Sequence, residues 1–105
     1  EGPSFEFRFE AAKLLLDLDD STATAVEVLT ALVEEDDSNP DVWQLLALAL
    51  HSGGQHEEAL EVCAKTAGLL GKLGVPRREP AWEELSELEA AAKEAMALGT
   101  QQQQG

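Results

Sequence analysis

A chain of 105 residues, 44% of them hydrophobic, holds one packed domain and excludes a multi-domain enzyme. Its 21 acidic residues against 7 basic ones give a formal net charge of -14. That balance argues against nucleic acid and anionic membrane surfaces as partners, because phosphates demand Lys and Arg, and it makes a basic partner the electrostatic complement.

Hydrophobic spacing predicts five helices and no strand. The first spans Ser4 to Asp17, with Phe5, Phe9, Ala12 and Leu16 recurring at three- and four-residue steps. The second follows Asp19-Asp20-Ser21 and buries Val26, Leu29, Leu32 and Val33; Thr24 with Glu27 also fits a capping box, which leaves its start open by a turn. It ends in Glu34-Glu35-Asp36-Asp37, where like charges oppose the macrodipole and fraying is expected. Asn39-Pro40 restarts helix, since Asn caps and Pro loses no needed N–H at the first position. The third helix carries Val42, Trp43, Leu45, Leu46, Leu48 and Leu50, apolar on most sides, until Gly53-Gly54 stops it. The fourth runs from His56 to Leu70. Pro80 opens the fifth, with Trp82, Leu85, Leu88 and Ala92 as its stripe; Gly99-Thr100 ends it, and the glutamines beyond read as a disordered tail.

Paired short helices call for a test of periodicity. Sliding the chain by 34 residues lays Ala25-Val26-Glu27-Val28-Leu29 over Ala59-Leu60-Glu61-Val62-Cys63, Phe9 over Trp43, and Leu16 over Leu50. Small residues at Ala47 and Ala59 let paired helices approach closely, with Trp43 and Leu46 filling the groove beside them. A 34-residue helix–turn–helix period resembles the tetratricopeptide repeat. Around Pro80-Ala81-Trp82 and Leu85-Ser86 a third unit is degenerate, and its helix has one apolar face, as a cap requires. The expected fold is therefore all-α: helical hairpin repeats, an α-solenoid fragment, with a C-terminal capping helix. Residues 1–98 form the domain, two repeats plus the cap, and 99–105 the polar tail.

A narrower likeness lies in Phe7-Arg8-Phe9-Glu10-Ala11-Ala12-Lys13-Leu14-Leu15-Leu16, then Val28-Leu29, Glu34-Glu35-Asp36-Asp37 and Pro40-Asp41-Val42-Trp43. This text resembles the tetratricopeptide chaperones dedicated to ribosomal protein uL4. The resemblance implies the C-terminal part of an escort that holds a strongly basic ribosomal protein during ribosome assembly; the alternative is a generic tetratricopeptide scaffold or the capping segment of a longer array. It also implies a cytoplasmic and nuclear location, further repeats upstream, no cofactor and no catalysis.

Charge placement adds its own reading. From Leu14 to Ala64 there is no Lys or Arg, while acids recur throughout. Such a surface steers cations, although a merely solvated acidic face is the plainer alternative. The candidate client-binding residues are Asp17, Asp19, Asp20, Glu34, Glu35, Asp36, Asp37 and Asp41, joined by Gln44, Leu48 and His51 on the inward side of the third helix. Phe7, Glu10 and Leu14 are the inward candidates of the first. The alternative for Leu48 is burial against neighbouring helices.

Other chemistries find too little in the residues. His51, His56 and Cys63 fall short of the four ligands of a structural zinc site, and Cys63 reads as a small core residue. Asp17-x-Asp19 starts like a calcium loop but has Thr22 and Val28 where Gly and Glu are needed. No phosphate loop or nucleophile elbow occurs. The expected partners are thus a basic protein client, with no nucleic acid, membrane or small-molecule substrate.

Overall fold

A computed structural model describes the backbone of residues 4–18 and 20–104 and the side chains as far as residue 99. Among these residues it has five helices and no strand: α1 (Phe5–Leu16), α2 (Thr22–Glu35), α3 (Pro40–Ser52), α4 (His56–Lys72) and α5 (Pro80–Gln104). None is long and apolar enough to cross a membrane.

Local chemistry sets the boundaries. Ser4 caps α1 by accepting from the Phe7 amide at 3.1 Å, and Asn39 caps α3 by accepting from the Asp41 amide at 3.0 Å, with Pro40 behind it. Helix α2 starts after Ser21, whose hydroxyl makes no capping bond, so the Thr24–Glu27 alternative lies inside the helix. The stop of α3 falls to Gly54. Its positive φ of 85° lets Gln55 N–H reach the Leu50 carbonyl and its own N–H reach that of His51, the paired bonds of a Schellman turn. Gly74, at φ 73°, ends α4 in the same way. Helix α4 thus gains two residues over the sequence expectation.

At the other end, α5 keeps helical backbone through Gln104, past the stop expected at Gly99-Thr100. One Gly costs a helix only ~1 kcal/mol against Ala, and Gln is a good helix former. Gly105 lies outside the described residues.

Each helix packs on the next, and α3 also touches α1 and α5. Odd helices therefore share one side of the array and even helices the other. Two clusters fill the interior. Ala12, Leu29, Leu32, Val42, Leu46 and Ala49 meet where α1, α2 and α3 converge. Ala47, Cys63, Leu70 and Leu85 do the same for α3, α4 and α5. Fully buried alanines, among them Ala12, Ala25, Ala47 and Ala59, bring the backbones together.

The 34-residue register holds in burial. Ala25 and Ala59, Leu29 and Cys63, and Leu32 and Thr66 are all fully buried pairs. Thr66 sits where its counterpart is Leu because its hydroxyl donates to the Val62 carbonyl at 2.8 Å, leaving no orphan polar atom. Phe9 and Trp43 are both half-buried, each with a lysine over its ring: Lys13 at 4.6 Å and Lys65 at 5.5 Å. Arg77 lies 3.9 Å over Trp82, so the third unit repeats the device.

Candidate functional site

The helix pairing leaves a concave face built from α1, α3 and α5. A hollow of about 410 Å³ opens there. Its α3 wall is Asp41, Gln44, Leu45 and Leu48, its α1 wall Phe9 and Lys13, and its α5 wall Glu84 and Leu88. The spacing explains the wall. Asp41, Gln44, Leu45 and Leu48 fall at steps of three, one and three, one stripe of a helix. The neighbouring stripe, Val42, Leu46 and Ala49, is spent on the core.

The floor is apolar and its rim charged. Leu48 is 43% exposed, unusual for Leu on a helix packed on both flanks. Gln44 is tethered weakly, its Nε2 3.4 Å from the Ala81 carbonyl of α5. Lys13 lies over the Phe9 ring and donates to Glu10 at 3.1 Å, which spends part of its charge inside α1. By the repeat register, Phe7, Glu10 and Leu14 stand where Asp41, Gln44 and Leu48 stand on α3. Phe7 and Leu14 are 64% and 68% exposed, although the α1 residues that line the hollow itself are Phe9 and Lys13.

The residues singled out in the sequence divide. Asp41, Gln44 and Leu48 meet in the hollow, and Leu48 is not buried against its neighbours. His51 does not join them: it turns to His56, the two Nδ1 atoms 2.9 Å apart at the α3–α4 turn. Asp17 and Asp20 are exposed at the α1–α2 turn, Asp20 edging a shallow hollow with Thr22 and Gly53. Asp19 lies outside the described residues. Glu34, Glu35, Asp36 and Asp37 are exposed at the α2–α3 turn. The two turns sit at opposite ends of α2, a helix of 14 residues, hence about 20 Å apart. The acids therefore form two clusters rather than one patch.

Two of those acids have partners the sequence spacing hid. Arg8 makes a forked pair with Glu35, Nη2 to Oε1 at 2.9 Å, and holds that carboxyl below its ordinary pKa. The Ser38 hydroxyl and amide both donate to Asp36, lowering its pKa as well. These bonds counter the fraying expected at the end of α2, which stays helical to Glu35.

Groove residues that sequence reasoning missed are Phe9, Lys13, Leu45, Glu84 and Leu88. Phe9, Leu45 and Leu88 pack against the core, as their stripes predict, and line the hollow as well. The signal that could have found Glu84 and Leu88 was the likeness of Pro80-Ala81-Trp82 to the start of the third helix. No group of three or more His, Cys, Asp or Glu side chains among the described residues is arranged to hold a metal ion. Cys63 is fully buried in the second cluster; burial pushes its thiol pKa up, and the nearby charge of Glu89 adds to the shift.

Compared with known families, residues 4–91 match the model of the bacterial transcriptional activator domain. This is an all-α domain of tetratricopeptide-like helical repeats, not an enzyme family. No curated protein matches the chain.

Proposed function

Because the chain belongs to the bacterial transcriptional activator domain family, we propose that it is a protein-interaction module whose concave face holds a basic segment of a partner protein, without catalysis. The observation that carries this reading is the hollow between α1, α3 and α5, apolar at Leu45, Leu48 and Leu88 and acidic at Asp41 and Glu84. Concave apolar surfaces with a few placed polar groups are where ligands bind. A net charge of -14 selects among protein partners for basic ones.

Nucleic acid is a poor partner for the same surface. Lys13, Lys65 and Arg77 lie over aromatic rings and Arg8 grips Glu35, so four of the 7 basic residues are already engaged. The narrower reading, escort of a basic ribosomal protein such as uL4 during ribosome assembly, draws on the sequence resemblance and on charge alone. The matched family does not favour that client over another basic protein.

Titration of the chain with a Lys/Arg-rich peptide and with an acidic one, at about 50 and 300 mM salt, tests the proposal. Binding of the basic peptide that weakens several-fold at the higher salt is expected. Absence of binding, indifference to salt, or preference for the acidic peptide overturns it.

A further inference from the structure

The hollow is not uniform along its length, and this gives a partner's recognition element a shape. Asp41 lies in the first turn of α3, and Leu48 two helical turns further on, about 10 Å away at the helical rise. On α5, Glu84 precedes Leu88 by one turn, about 6 Å. The contacts of α3 with both α1 and α5 bring these walls together. One end of the hollow carries two carboxylates, Asp41 and Glu84, with no Lys or Arg among the described residues in an ion pair with either. The other end carries the exposed edge of Leu48 with Leu88, while Phe9 and Lys13 form the α1 wall alongside.

Building on the docking reading above, we propose that the hollow recognises a protein segment in which one Lys or Arg lies two or three residues from one large aliphatic side chain. An extended strand places residues two apart on one face, about 6.6 Å from each other, and a polyproline II segment does so for residues three apart, at about 9.3 Å, so these spacings span the 6–10 Å between the acidic end and the apolar end. The basic group sits between Asp41 and Glu84, and the aliphatic group covers Leu48 and Leu88. Charge alone accounts for attraction to any cation; the apolar end makes the spacing matter.

The test uses the full chain and ten-residue fluorescent peptides with a single Arg and a single Leu in a Ser/Gly background. Separations of one, two, three and six residues are compared, with Arg→Gln and Leu→Ser controls. The peptides separated by two and three should bind at least threefold more tightly than the other two. Glu84→Gln should weaken them about threefold at low salt, as an exposed ion pair warrants. Leu48→Ala should weaken them by a similar factor at every salt concentration. Both positions are exposed, and a thermal melt shows that the variants fold.

Equal binding at all four separations overturns this proposal while leaving the docking reading intact. A spacing preference that survives both substitutions places recognition elsewhere and also overturns it. Failure of every Arg peptide and of the Lys/Arg-rich peptide overturns both readings together.

Discussion

Arg8, in the first turn of α1, closes a fork on Glu35 at the last residue of α2, clamping the open ends of the first hairpin together. Both groups are solvent-exposed, so the pair acts on the hairpin's end rather than on the core.

The clamp predicts a pH-dependent difference between two chains. Arg8 holds the Glu35 pKa below its ordinary value. A carboxyl with a depressed folded pKa contributes stability that is fully present above its unfolded pKa, about 4.3, and is lost as pH falls through the folded value. At pH 7, Arg8→Gln should lower Tm by no more than about 5 °C. The gap should close as pH falls through the depressed folded pKa of Glu35 and the carboxylate takes up its proton. A gap that widens in acid would assign the stabilisation to something other than the ion pair.

The core and the concave face should respond oppositely to the same chemical change. Leu29 is fully buried where α1, α2 and α3 meet, so Leu29→Ala leaves a cavity and should cost about 3 kcal/mol. Leu48, partly open to the hollow, should cost under about 1 kcal/mol as Leu48→Ala. Urea denaturation of both variants measures the contrast. Comparable losses would mean that Leu48 belongs to the core.

Much of this architecture was legible because one hairpin needs the same residues as the next. Phe9 and Trp43, or Ala25 and Ala59, recur at a fixed step because they fill equivalent seats, and a sliding comparison finds them. Clefts between distant helices leave no such trace. Arg8 and Glu35 are 27 residues apart, and the acid-rich stretch looked uncompensated because its counter-charge came from outside it. Leu45 and Leu88 do pack against the core, yet each also lines the hollow, because an apolar stripe does not announce how much of it a neighbour covers. The helical continuation beyond Gly99 was missed because a glycine is only a weak stop without the left-handed turn that Gly54 and Gly74 adopt.

The two indoles make parallel bonds in different surroundings. Trp43 Nε1 donates to the Asp37 carbonyl at 2.9 Å in an exposed position, and Trp82 Nε1 to the Val75 carbonyl at 2.9 Å in a partly buried one. Replacing either by Phe removes the donor. Water can take over at the Asp37 carbonyl and less readily at that of Val75. Trp82→Phe should therefore cost about 1–2 kcal/mol and Trp43→Phe roughly half as much, by chemical denaturation. The reverse order would show that ring packing, not the hydrogen bond, sets the difference.

Cys63 tests whether the α4–α5 interface is as closed as its packing implies. The thiol is fully buried beside Ala47, Leu70 and Leu85, and desolvation with the charge of Glu89 raises its pKa. Only the thiolate reacts with alkylating reagents, so both access and ionisation are suppressed in the folded chain. Iodoacetamide at pH 8 should modify the native protein at least a hundredfold more slowly than the urea-unfolded one. Leu85→Ala should open a path and raise the native rate, because local opening then costs less. Rapid labelling of the unaltered native chain would contradict the buried position of Cys63, and with it the packing of α5 against α4 that forms the acidic wall of the hollow.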